Sequence, residues 1–76
     1  MNEKRIVFDH SKLKGKMKEK NYTQESCAND LKINKTTLNF KLNGKKYFSQ
    51  NEIFSLAKIL DLSQEDISLY FFTLKV

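Results

Sequence analysis

The sequence predicts an all-α fold, a compact domain of five short helices, and three observations predict it. Seventy-six residues enclose one core, because a second would have too little chain around it. Proline is absent and there are only two glycines, Gly15 and Gly44, which favours helices with short connections over a turn-rich β design. Helix-start residues (Ser, Thr, Asn, Asp) recur along the chain, each followed by apolar residues at helical spacing. The composition, 39% apolar and 30% charged, suits a soluble globular protein. Residues 1–76 are therefore read as a single domain, and one this small gains from dimerisation.

Residues 1–8 are either an extended arm or a short strand, with Ile6, Val7 and Phe8 the β-favouring residues. Lys4 and Arg5 reach a phosphate if the arm is ordered; fraying is the alternative. Asp9 or Ser11 caps a first helix to about Lys20, with Leu13 and Met17 inward and lysines elsewhere. Asn21 ends it in the left-handed conformation, and Tyr22 packs beneath the next helix.

Residues 23–44, TQESCANDLKINKTTLNFKLNG, organise the chain as two short helices joined by a tight turn. Thr23 caps the first of them, which buries Cys27, Ala28 and Leu31. The turn is about Lys32–Asn34, with Ile33 inward. Asn34 caps the second, which runs to about Leu42 and buries Leu38 and Leu42. Gly44 supplies the positive φ that ends it. Lys45 and Lys46 form a basic loop, and Tyr47 and Phe48 tuck into the core. Ser49 and Glu52 match a capping box ahead of the apolar fourth helix, and Ser63 to Asp66 repeats the cap signal. A short fifth helix buries Ile67 and Leu69 or Tyr70. The run from Tyr70 to Val76 reads as extended, pairing with Ile6–Phe8 or with a second chain, so short terminal strands join the all-α fold as an option.

Charge is unevenly spread. Residues 1–46 hold twelve Lys/Arg against five Asp/Glu; residues 47–76 hold two Lys against four acids. A basic front suits one face presented to a polyanion, though a solvated lysine surface has the same composition. Cys27 is the only cysteine and His10 the only histidine, so an internal disulfide and a His/Cys metal site are both excluded. Cys27 reads as a small buried thiol and His10 as a surface residue. Without a leader or a long apolar run, the expectation is no membrane and a cytoplasmic protein. The carboxylates fall in caps and on solvent faces, and no phosphate-binding glycine loop is present. No catalytic residue, metal or cofactor is expected, and the chain is not read as an enzyme.

The stretch 23–44 resembles the helix-turn-helix of the Cro and phage-repressor (Xre-type) superfamily. The matching residues are Thr23-Gln24, Ala28, Leu31, Ile33, Asn34, Leu38 and Asn43-Gly44-Lys45. Ala28 stands where the two helices cross closely. The run Thr37-Leu-Asn-Phe-Lys-Leu-Asn-Gly44 and the ending Tyr70-Phe-Phe-Thr73 look like small Cro-like proteins of phages of Gram-positive bacteria. The resemblance implies a Cro/repressor-like helix-turn-helix domain in a bacterial host cell. Two departures stand out. Lys32 replaces the usual left-handed Gly, at a cost on the order of 1 kcal/mol. Lys41 and Leu42 exchange the usual apolar and acidic characters, which blurs the direction of the neighbouring side chains.

On this resemblance the helix 35–42 enters the DNA major groove. Lys35, Thr36, Asn39 and Phe40 are the candidate base readers: Lys35 to guanine, Asn39 to adenine, Thr36 or Phe40 to a thymine methyl. For Phe40 the alternative is packing on Tyr47 or Phe48. Gln24, Thr37, Asn43, Lys45 and Lys46 are the candidate phosphate contacts, with plain solvent exposure as their alternative. The function implied is a sequence-specific, Cro-like transcriptional regulator binding a double-stranded DNA operator as a homodimer. The competing function is an antirepressor or modulator that binds another repressor protein through the same frame, with Phe40 and the apolar tail as protein contacts.

Overall fold

Local side-chain chemistry starts the second, third and fourth helices where the sequence places them. The computed structural model describes residues 5–76. Helix α1 spans Ser11–Glu19, α2 Gln24–Leu31, α3 Lys35–Leu42, α4 Gln50–Ile59 and α5 Ile67–Phe71, with a 3-10 turn at Gln64–Asp66 before α5. Thr23 Oγ1 accepts from the Ser26 N–H at 3.0 Å, and Asn34 Oδ1 from the Thr37 N–H at 2.7 Å. At Ser49 and Glu52 both halves of the capping box form, at 3.1 and 2.8 Å. Helix α1 starts differently from expectation. His10 occupies its cap position with no side-chain bond, and Asp9 Oδ1 accepts from the Ser11 N–H at 2.8 Å. The Ser11 hydroxyl and N–H together hold the Asp9 carboxyl below its ordinary range. Ser63 likewise makes no side-chain cap bond, so the second cap signal opens a 3-10 turn instead of a regular helix.

Three helices end in left-handed non-glycine residues: Asn21 at φ 55°, Lys32 at φ 59° and Asp61 at φ 62°. Lys32 thus adopts the conformation that its turn demands despite its side chain, at the cost expected above.

Leucines four apart bring the layers together. Leu13 and Met17 of α1, Leu38 and Leu42 of α3, and Leu56 and Leu60 at the end of α4 each present one buried stripe. Cys27 and Ala28 of α2 and Phe71 of α5 complete the core. Among the described residues there is no sheet. The ends meet instead at an isolated antiparallel bridge between Phe8 and Leu74, flanked by Asp9 N–H to Thr73 O at 2.7 Å and Lys75 N–H to Val7 O at 2.9 Å. The tail therefore pairs within the chain.

Three expectations are corrected. His10 is not a surface residue but is 4% exposed, its ring 5.3 Å from Phe48 and 6.5 Å from Phe71 and Phe8. Tyr47 does not tuck in; it is 48% exposed, its hydroxyl donating to the Ile6 carbonyl. Tyr70 and Phe71 are helical, not extended, and Phe71 is buried while Leu69 is exposed. The spacing of Ile67 and Phe71, one turn apart, explains this: both project from one side of α5 onto the core.

Gly44 combines a φ of +79° with a close approach, since an added Cβ would lie 3.0 Å from the Phe8 carbonyl oxygen and from Val7 Cγ1. Gly44→Ala is expected to lower stability by about 1–2 kcal/mol from backbone conformation alone. Displacement of residues 7–8 adds to that. Denaturant midpoints of the two proteins check it.

Burial depresses the pKa of His10, against the opposing pull of the Phe71 carbonyl and of Asp9. The folded state then binds fewer protons than the unfolded chain, where a histidine titrates near 6.5. This contribution to stability is present above about pH 6.5 and is lost as pH falls toward the depressed folded value. Thermal midpoints measured between about pH 7.5 and 5.5 are expected to fall with acidification, and His10→Phe to flatten that slope.

Candidate macromolecular interface

The candidate residues lie on helices α2 and α3, joined by the turn 32–34, and in the loop after α3. Residues 32–46 contain five lysines and no acid. One of them, Lys41, is withdrawn from the surface: its Nζ lies 2.6 Å from Glu52 Oε1, and both side chains are only 12% exposed. This pair accounts for the exchange at Lys41 and Leu42. The lysine finds its acid on α4, and Leu42 takes the buried position. Lys32, Lys35, Lys45 and Lys46 remain exposed and in no ion pair among the described residues.

Lys35, Thr36, Asn39 and Phe40 are all exposed on α3. Phe40 is 39% exposed, with the Lys46 ammonium 5.9 Å from its ring centre and no aromatic partner among the described residues. Asn39 is constrained in a way that sequence reading missed. Its Oδ1 accepts from Asn43 Nδ2 at 3.0 Å, and Asn43 Oδ1 in turn accepts from Lys14 Nζ at 3.3 Å. The paired bond of an Asn amide to adenine needs that same Oδ1 as an acceptor. As held here, one lone pair of the Asn39 oxygen is taken by Asn43, and a base contact would have to share or displace that bond. The four-residue spacing of Asn39 and Asn43 on a helix was the available signal.

The candidate phosphate contacts divide. Lys45 and Lys46 are exposed, whereas Asn43 is occupied as described and Thr37 is half-buried in the first turn of α3. Gln24 opens α2 and lines a cleft of about 450 Å³ with Lys14, Met17, Lys18, Asn21, Tyr22, Thr23 and Leu42. Lys4 lies outside the described residues. Arg5 turns back onto the protein, donating to the Lys45 carbonyl and standing 5.0 Å from the centre of the Tyr47 ring. The loop after α3 is thus strapped by the segment before α1.

Cys27 is buried, and burial pushes its thiol up to about 11, which makes it inert at neutral pH. Among the described residues no cluster of His, Cys, Asp or Glu could hold a metal ion. No helix of the described residues is long and apolar enough to cross a membrane.

Fold and site together define the class: a small all-helical domain in which residues 32–46, the turn, α3 and the loop after it, carry an acid-free, lysine-rich surface with an exposed aromatic. The chain belongs to DUF739, a protein family of unknown function, which matches residues 6–74. Its fold is similar to the solution structure of the modulator of repression (MOR) of the temperate bacteriophage TP901-1 from Lactococcus lactis. The TM-score is 0.69 and the identity 36%, over 87% of this chain and 89% of that one. Among curated proteins no match is found.

Proposed function

We propose that this chain is a phage modulator of repression that works by binding a repressor protein through its helix-turn-helix frame. The observation that carries this reading is its likeness, across nearly the whole of both chains, to a protein known as a modulator of repression. Two features of the surface agree with it. Phe40 stands exposed in the last turn of α3, as an aromatic anchor of a protein interface does. The Asn39 oxygen is engaged by Asn43 Nδ2, so an adenine contact there would have to share or displace that bond. On this reading the frame of the Cro/phage-repressor superfamily is turned from DNA to a protein partner, in the cytoplasm of the bacterial host.

One observation favours a second reading, a Cro-like repressor bound to a double-stranded DNA operator. The surface of residues 32–46 has four exposed lysines and no acid. A homodimer would then place each α3 in a major groove, with half-sites about 34 Å apart.

Gel-shift titration of the phage control region separates the two. The isolated chain is expected to leave the DNA unshifted and to change the mobility of the repressor–DNA complex when repressor is present. Tight, salt-sensitive binding by the isolated chain, weakened by Lys35→Ala, would instead select the second reading. Under the first reading Phe40→Ala is expected to weaken the complex with repressor by about 2 kcal/mol, roughly thirtyfold in Kd, without unfolding the domain. Calorimetric titration checks that value.

A further inference from the structure

We propose that the cleft between α1 and the start of α2 is a docking site for an acidic amphipathic segment of a protein. One apolar side chain of that segment would seat on Met17, Tyr22 and Leu42, and flanking carboxylates would meet Lys14 and Lys18. The inference rests on the reading that the partner is a protein, and names the chemistry of the segment it recognises.

The cleft, about 450 Å³, lies within the size range of binding clefts and holds a leucine-sized side chain with adjoining backbone. Its floor is apolar. Met17 and Leu42 are core residues, 3% and 2% exposed, that form its base, and Tyr22 is partly buried against the same core. The Tyr22 hydroxyl is already committed to Asp30 Oδ2 at 2.6 Å, so the ring faces the cleft without an unsatisfied polar group. A phosphodiester backbone gains nothing from a thioether, a leucine and a phenol ring, whereas an apolar side chain does.

The rim sets the charge of the occupant. Lys14 and Lys18 are four residues apart, hence neighbours along one side of α1, and both line the cleft. Lys16, between them, points elsewhere and pairs with Glu19 at 3.5 Å. Neither Lys14 nor Lys18 has an acidic partner among the described residues. Two like charges at this spacing repel, and a carboxylate from outside converts the repulsion into attraction. Gln24, Thr23 and Asn21 complete the rim with amide and hydroxyl groups suited to the backbone of a bound segment. An apolar floor beneath a paired-lysine rim is complementary to leucine or phenylalanine set among Asp and Glu. Lys14 also joins the cleft to the α3 surface, through its bond to Asn43.

The test uses the full chain, NMR detection and a short glutamate-rich peptide with a central leucine. A peptide of equal charge with serine in place of that leucine is the control. Shifts are expected at the Met17 methyl, the Tyr22 ring and Leu42, with the serine peptide binding about tenfold more weakly. The double variant Lys14→Glu, Lys18→Glu alters exposed side chains only. It is expected to keep the wild-type spectrum elsewhere and to lose about tenfold in peptide affinity. Equal affinity for the two peptides, or shifts confined to residues 35–40 of α3, would overturn the site. Complex formation with the repressor tells the two claims apart. A complex that forms as tightly with the double variant as with wild type overturns the cleft and leaves the proposed function standing. Selective peptide binding in the cleft, with no repressor complex, upholds the site and removes the function.

Discussion

Phe71→Ala is expected to destabilise the domain by about 3–5 kcal/mol, the range for truncating a buried aromatic side chain. Phe71 is 2% exposed and packs edge-on against Phe48, with ring centres 5.7 Å apart. It also stands beside His10, so its removal opens the wall that shields that ring from water. A domain of this length has total stability of the same order, about 5 kcal/mol, so the variant should be largely unfolded at room temperature. Loss of cooperative thermal unfolding by circular dichroism would show it. Leu69→Ala, two residues earlier but exposed, serves as the contrasting control and should change the midpoint little.

The second large effect concerns Lys41 and Glu52. Lys41→Met leaves the Glu52 carboxylate without its cation in a site that is 12% exposed, at an expected cost of about 3 kcal/mol. Glu52 retains its bond from the Ser49 N–H, which keeps the cost at the lower end for a broken buried pair. Lys41→Met combined with Glu52→Gln should recover most of the loss, because no buried charge is then left alone. A double-mutant cycle measures the coupling. The pair also has a pH signature. Burial alone would raise the Glu52 pKa, but the Lys41 ammonium and the Ser49 N–H outweigh it, and the folded value lies below the ordinary 4.5. Stability from the pair is therefore present above about pH 4.5 and disappears as pH falls through the folded value. Lys41→Met should flatten the acid limb of the stability curve in that window and leave the His10 slope near neutrality intact.

Features that depend on a few neighbouring residues were legible in the sequence. Thr23, Asn34 and Ser49 cap their helices because the bond each makes closes within three residues, so pattern and structure carry the same information. The left-handed Lys32 was legible only through the resemblance to a helix-turn-helix family that usually has glycine there. Features set by distant partners were not legible. His10 has no neighbour in sequence that hints at burial; Phe48 and Phe71 close over it from elsewhere in the chain. Lys41 looked like a departure from a template because its acid lies eleven residues on, at the start of α4. In α5 a genuine helical spacing was hidden by the aromatic run Tyr70-Phe71-Phe72, whose composition favours a strand. At the candidate interface the exposed Lys35, Thr36 and Phe40 stand where the pattern put them, while the commitment of Asn39 to Asn43 is a side-chain bond that no residue type by itself announces.

The strap across the loop after α3 also orders events in time. The contacts within α1, α2 and α3 join near neighbours in sequence and can close quickly. The loop at Gly44, by contrast, backs onto Val7 and Phe8, and those residues are pinned by Thr73, Leu74 and Lys75. Joining residues 7–9 to 73–75 closes almost the entire chain into one loop, the most costly closure in entropy. During synthesis this bridge must wait for residues 73–75 to leave the ribosome, long after α3 has emerged. A nascent chain would therefore hold a formed α3 whose following loop is still unanchored, and the surface of Lys45, Lys46 and Phe40 would take its final shape last.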